Sequence, residues 1–218
     1  MHHDQRWWLV TSAQRPAGPE TIAVKETGAM LARAFHDDPP SIWLFPDERK
    51  RRIALLGELT ASARYGLRYG DVYVPSEAAE GAAIWLPPDK PLVSTLGMLR
   101  VGFWDMVSAP LRVGFGYLPR FFRVVRQMEE LHKRDVPKRH WYLMVLGVEP
   151  GRQGQGVGSA LIEPGLARAD RDRLPCYLET AKEINVTFYK RHGFEVLQEV
   201  PIGGDGPPMW TMLREPIG

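Results

Sequence analysis

The chain has 218 residues, 44% of them hydrophobic, which is enough for a substantial core in one generous domain. Lys and Arg number 28 against 26 Asp and Glu, and a formal charge of +2 provides no bulk field for nucleic acid or an acidic membrane surface. Cys176 is the sole cysteine, which excludes an internal disulfide and a cysteine-built metal site and suits a reducing, cytoplasmic location.

The first ten residues hold too short an apolar run for a signal segment, and no stretch approaches the roughly 18 apolar residues of a membrane span. His2 and His3 stand without further ligands, so no metal is expected. Trp7 to Thr11 reads as a first strand or an N-terminal extension, followed by a Pro/Gly loop to Pro19. Ile22, Ala29, Met30, Ala34 and Phe35 predict an amphipathic helix over Glu20 to Phe35, with a short strand at Ile22 to Val24 as the alternative. Asp38-Pro39-Pro40 breaks the chain. Phe35 to Pro46 then reads as a loop whose aromatics, His36, Asp37 and Asp38 either line a pocket or serve capping and turn chemistry. Asp47 to Tyr69 is predicted helical on Ile53, Leu56, Leu59, Ala63 and Leu67, with Arg49 to Arg52 on its solvated face. Asp71 to Val74 and Gly81 to Leu86 form a predicted hairpin that ends at Pro87-Pro88.

From Leu92 to Glu130 helical periodicity combines with Phe103, Trp104, Phe115, Tyr117, Phe121 and Phe122, predicting two helices around Pro110. Such a segment covers an aromatic acceptor, belongs to the core, or forms a dimer face. Arg112, Arg120, Arg123 and Arg126 suggest a basic stripe, but Glu129 and Glu130 follow at once, and nucleic acid is not expected as a partner. Lys133 to Arg139 is a polar connection.

Tyr142 to Val148 is an apolar strand stopped by Pro150-Gly151, and Val157, Ala160, Leu161 and Pro164 then fall on one helical face. Between them Gly154, Gly156 and Gly158 let backbone amides approach a ligand where a helix start leaves N–H groups unpaired, an anion site for phosphate or pyrophosphate to which Arg152 adds charge. A nucleotide P-loop is excluded because Val157 and Gly158 stand where Lys and Ser/Thr belong. A dinucleotide fingerprint fails at Ser159, and too few residues follow for the further βα repeats it needs. Pro164 predicts a kink or an early stop. Pro175 to Thr180 is the next strand, Ile184 to His192 the last long helix with Gly193 as its cap, and Phe194 to Leu197 with Met209 to Leu213 a closing hairpin.

The pattern Gln153-x-x-Gly156-x-Gly158 resembles the acetyl-CoA pyrophosphate loop of the GNAT superfamily of N-acetyltransferases. Leu178-Glu179-Thr180, Asn185 and Phe188-Tyr189 through Gly193-Phe194 resemble that family's C-terminal signature. The resemblance implies an α/β, three-layer fold: a mixed, mostly antiparallel twisted sheet with a central splay, flanked by helices. It implies one acetyltransferase domain over residues 1–218, with residues 92–136 as a helical acceptor-side insertion.

It also implies the site. Acetyl-CoA would be held by Leu146, Gly147, Val148, Gln153, Gly154, Gln155, Gly156, Val157, Gly158, Ser159 and Asn185. Tyr189 would protonate the leaving thiolate, and a backbone N–H such as that of Val148 would stabilise the oxyanion. Glu179 is the expected base, in competition with Asp37, Asp38, Glu58 and His140. Cys176 lies in a mostly apolar strand and is expected to be inert rather than an acyl carrier. The implied activity is direct acetyl transfer to a primary amine, of a small molecule or of a protein N-terminus or lysine, by a monomer or homodimer. An acyl-CoA sensor with a degenerate acceptor pocket is the alternative.

Overall fold

Strand β4 (Trp141–Val148) is where the two halves of the sheet meet. The computed structural model describes residues 7–10, 20–75, 80–88, 111–136 and 139–217. Around β4 stand β1 (Trp7–Val10), β2 (Asp71–Pro75), β3 (Gly81–Leu86), β5 (Cys176–Thr180), β6 (Glu195–Pro201) and β7 (Pro208–Arg214), in the order β1-β2-β3-β4-β5-β7-β6. Every neighbouring pair is antiparallel except β4 with β5. The described helices are α1 (Glu20–Ala34), α2 (Pro39–Leu44), α3 (Glu48–Tyr69), α4 (Leu118–Asp135), α5 (Val157–Asp172) and α6 (Glu183–Arg191). Met30 and Leu31 of α1 and Leu55, Leu59 and Ala63 of α3 pack on one face of the sheet. Leu161, Ile162, Leu166 and Ala169 of α5 and Val186 and Tyr189 of α6 pack on the other. Three layers result, as expected.

The elements depart from the expected pattern at several places. Pro39 and Pro40 open α2 instead of leaving a loop, because the first helical turn needs no N–H donor there. Arg51 is buried rather than solvated, its guanidinium donating to the Phe45 and Pro46 carbonyls at 2.9 and 3.3 Å, while Leu56 faces solvent. Asp47 caps α3 by accepting from the Lys50 N–H at 2.8 Å. Helix α4 runs on to Asp135 through residues whose charge suggested a connection, because Leu131 and His132 are buried beneath that polar stretch. The helix expected from Leu92, with Trp104, and the Pro110 break lie outside the described residues. Gly114, with φ of +88°, precedes α4.

Pro164 does not stop α5, which continues to Asp172. The lost hydrogen bond costs about 3 kcal/mol in an isolated helix, but the buried side chains on both sides of it offset that loss. Gly165 packs so closely that a Cβ there would stand 2.2 Å from the Trp85 indole. The helix is thereby pressed directly on β3.

A buried ion pair fastens the other end of α5. Arg214, on the last turn of β7, is 4% exposed and binds both oxygens of Asp170 at 2.8 Å, and Asp170 also accepts the Ile217 N–H at 2.9 Å. These donors hold the Asp170 carboxyl below its usual range, the Arg214 bond being the largest cause. Asp170→Ala is expected to cost about 3 kcal/mol, because it strands a buried guanidinium. The depressed acid stabilises the fold above the ordinary carboxylate pKa and loses that contribution as pH falls through its folded value, so urea midpoints of wild type and variant should converge only in strong acid.

Candidate active site

Two strand pairs hold β4 to β5, Trp141 with Cys176 and Tyr142 with Tyr177, and beyond them the strands part. The opening follows from a bulge. Ile84 pairs with Val145 and Trp85 with Leu143, leaving Met144 as the extra residue that bends β4. Leu146 and Val148 pack toward α5 and α6, while Gly147 lies under α1, where a Cβ would come within 2.6 Å of Leu31. The Glu149 N–H donates to the Glu80 carbonyl at 2.8 Å. Antiparallel alternation then turns the N–H groups of Leu146 and Val148 away from β3 and toward the opening. These are the donors anticipated for an oxyanion and an extended ligand.

The glycine loop sits at the wide end of this opening. Pro150–Arg152 makes one tight turn, Gly154 and Gly156 have φ of +75° and +84°, and α5 starts without a side-chain cap. A Cβ at Gly151, Gly154 or Gly156 would meet nothing within 4 Å, so the concave side of the loop is open to a ligand. The first intrahelical bond is Ala160 N–H to the Gly156 carbonyl at 3.1 Å, which leaves the amides of Val157, Gly158 and Ser159 directed outward. This cradle fits a pyrophosphate. Gln153 and Gln155 brace it by donating to the Val148 and Gly151 carbonyls, each at 3.1 Å. Ser159 offers only its backbone, since its hydroxyl lies 3.1 Å from His192 Nε2. Arg152, expected to add charge, pairs with Glu80 at 2.7 Å and keeps about half of its side chain exposed beside the loop.

At the narrow end stands Glu179, its side chain 5% exposed. Tyr142 donates its hydroxyl hydrogen to Oε2 at 2.8 Å. His132 Nδ1 lies 3.8 Å from Oε1, and His132 Nε2 lies 2.5 Å from His140 Nε2. Loss of water raises the Glu179 carboxyl to about 7, against the Tyr142 bond and the neighbouring Tyr177 hydroxyl, with Asp135 adding a smaller push upward. Burial, then the neighbouring His140, holds His132 down at about 3, so it is neutral. Glu179 is thus a carboxyl poised near neutrality, the condition for a general base.

Tyr189 is 6% exposed and packs edgewise on Phe188 and Phe194 at 5.1 and 5.8 Å. Burial, then the charge of Asp38, pushes its phenol well above the usual range, so it carries its proton at neutral pH. Asp38 forms an ion pair with Lys182 that joins the α1–α2 turn to the end of β5. Asn185 is half-buried on the first turn of α6 and is not its cap, a position held by Lys182. Trp43 carries the α1–α2 segment against Gly203 and Gly206 of the β6–β7 turn, with the Arg120 guanidinium 5.3 Å from its ring. Asp37 is exposed, loss of water raises the Glu58 carboxyl above its usual range, and His140 Nε2 lies against His132 Nε2. Cys176 is fully buried and pushed up to about 12, the largest cause being burial, as an inert thiol should be. Sequence reasoning missed His132, Tyr142 and Tyr177 as partners of Glu179. The alternation of Tyr142 and Met144, and of Tyr177 and Glu179, was the available signal.

Residues 120–196 match the acetyltransferase (GNAT) domain, and the chain is an acetyltransferase. It is 28% identical over 199 residues to an uncharacterized N-acetyltransferase of Schizosaccharomyces pombe, covering 88% of this chain and 79% of that protein. A solved structure described as histone acetyltransferase HPA2 and related acetyltransferase, from Corynebacterium glutamicum, is 25% identical with a TM-score of 0.58, covering 94% and 96% of the two chains. The polyamine N-acetyltransferase of Drosophila melanogaster shares the fold, at 11% identity and a TM-score of 0.55 over 96% of this chain and 100% of that one. Among the described residues no helix is long and apolar enough to cross a membrane.

Proposed function

We propose that this enzyme transfers the acetyl group of acetyl-CoA to the primary amine of a small molecule, by direct attack in a ternary complex, in the cytoplasm. The observation that carries the reading is the buried Glu179, raised to about 7 beside the opening between β4 and β5. Amides of residues 154 to 159 would hold the pyrophosphate, and those of Leu146 and Val148, with Asn185, the extended arm. Acetyl-CoA supplies an activated thioester carbonyl. Glu179 takes a proton from the ammonium form or the attacking amine, and the Val148 N–H faces the developing oxyanion. Holding both reactants in line supplies much of the acceleration, so no covalent enzyme intermediate is needed.

The acceptor side is formed by the α1–α2 segment and α4, where Trp43, Tyr117 and Phe121 offer rings to an aromatic or long-chain amine. The sequence signatures resemble those of puromycin N-acetyltransferase, which suggests a small amine as acceptor. Release of CoA should therefore be measured with puromycin, polyamines, lysine peptides and free peptide N-termini. Turnover confined to the peptides would replace the small-molecule reading with a protein acetyltransferase, and CoA binding without turnover of any amine would make the protein a sensor.

Tyr189→Phe keeps the ring packed and removes the proton on its oxygen. Turnover is expected to fall by roughly 10²-fold with acetyl-CoA affinity unchanged. Full activity would reduce Tyr189 to a packing residue.

A further inference from the structure

The two oxygens of Glu179 have different surroundings. Oε2 is tied to the Tyr142 hydroxyl at 2.8 Å, whereas Oε1 is buried with no hydrogen-bond partner among the described residues. The Tyr177 hydroxyl and Thr211 Oγ1 are likewise buried without a hydrogen bond of ordinary geometry, although Tyr177 lies close enough to Glu179 and Thr211 to act on both. Thr211 stands opposite Glu179 in the β5–β7 ladder, and Tyr177 lies two residues before Glu179 on the same face. Three buried polar atoms that reach one another only loosely are costly in a folded protein and leave capacity for a polar group that comes to them.

We infer that Oε1 is the atom that receives the amine's proton, in a polar recess completed by Tyr177 and Thr211, and that Tyr142 is the positioning residue that fixes Oε2 and thereby aims Oε1. The proton moves from the attacking nitrogen, or from a water hydrogen-bonded to it, to Oε1: an N–H or O–H bond breaks, an Oε1–H bond forms, and the carboxylate charge is neutralised. Tyr142 keeps its own proton throughout, because burial among apolar rings and the adjacent Glu179 charge hold its phenol well above its usual range.

The chemistry of the surroundings supports this division. The groups facing the carboxyl are His132 and Asp135 from α4, His140 just before β4, Tyr142 from β4, Tyr177 from β5 and Thr211 from β7, with Tyr65 and Tyr69 of α3 packed behind the two tyrosines. His132 is neutral and Asp135 is engaged by Arg134 and Gln198, at 3.1 and 2.6 Å. His132 brings no positive charge to Glu179, so the carboxylate is stabilised by the Tyr142 hydrogen bond first and by the Tyr177 hydroxyl after it. Removing the Tyr142 bond favours the protonated form.

This inference rests on Glu179 being the base, and one experiment separates the two. In Tyr142→Phe the limb of kcat/KM that rises with pH as Glu179 deprotonates is expected to move up by about one pH unit, which is about a fivefold loss at pH 7 and about tenfold on the acid side of the limb. Activity should recover toward the wild-type plateau above the limb, with KM for acetyl-CoA unchanged. A folded variant whose limb stays in place, or whose activity is equally low at every pH, overturns the role of Tyr142 while leaving the base standing if Glu179→Gln is inactive. An active Glu179→Gln removes the base and this inference together. Should Tyr142→Phe not fold, carboxyl carbon NMR of the wild type decides: one glutamate titrating near 7 with a hydrogen-bonded phenol signal is expected, and all glutamates titrating below pH 5 overturns it.

Discussion

Replacing Glu179 by glutamine is expected to lower kcat/KM near neutral pH by roughly 10³-fold, within the span of a general-base contribution, while acetyl-CoA affinity stays the same. Glutamine fills the same space and still accepts from Tyr142, but it cannot hold the amine's proton. Wild-type kcat/KM should climb through about pH 7 as Glu179 loses its proton, and the variant should lack that limb. The same shift has an opposite consequence for the fold. A carboxyl whose folded pKa lies above its unfolded value binds more protons when native, so wild-type stability falls as pH rises from about 4.5 to about 7. The variant should show no such slope. Retained activity in Glu179→Gln, measured as CoA release with a saturating amine, would leave the buried carboxyl without a chemical role.

Gly156→Asp is expected to weaken acetyl-CoA binding by roughly 10²-fold or more in a protein that still folds. Its φ of +84° is a left-handed conformation that costs an ordinary residue about 1–2 kcal/mol. Its Cβ would point into open space, so there is no clash with the protein itself. The added carboxylate would stand beside the uncapped first turn of α5 and occupy the amides a pyrophosphate uses, supplying the charge that the helix start favours. Calorimetry with CoA separates this from misfolding, since thermal unfolding of the unliganded variant should shift little. Unchanged CoA affinity would move the cofactor away from the loop.

What could be read from the sequence was what is local. Glycines at 154 and 156, proline at 150 and the apolar run before it determine turn, strand and helix start within one stretch, and each is found where its chemistry required. Glu179 and Tyr189 could be named only through family resemblance, and their environment could not. Tyr142 is 37 positions from Glu179, and the parallel pairing of β4 and β5 alone brings them together. The misread positions have the same origin. Arg51 is polar by composition but finds two carbonyls at the turn before its own helix. Pro164 forbids one hydrogen bond, which counts for less than the flat contact of Gly165 on Trp85. The Met144 bulge that opens the sheet has no sequence mark, because it arises from a mismatch in register between strands far apart in the chain.

That opening gives the sheet two interior edges in addition to its outer ones. Exposed strand edges invite other polypeptides to add on, and proteins ordinarily blunt or cover them. Here the free edges belong to β4 and β5, the most central strands, with β3 and β7 behind them and helices above and below. A thin, unbranched molecule that carries amide groups along its length can bond to both edges as a strand would. The fold therefore keeps unpaired strand edges at its centre, under helices on both faces, rather than at its rim.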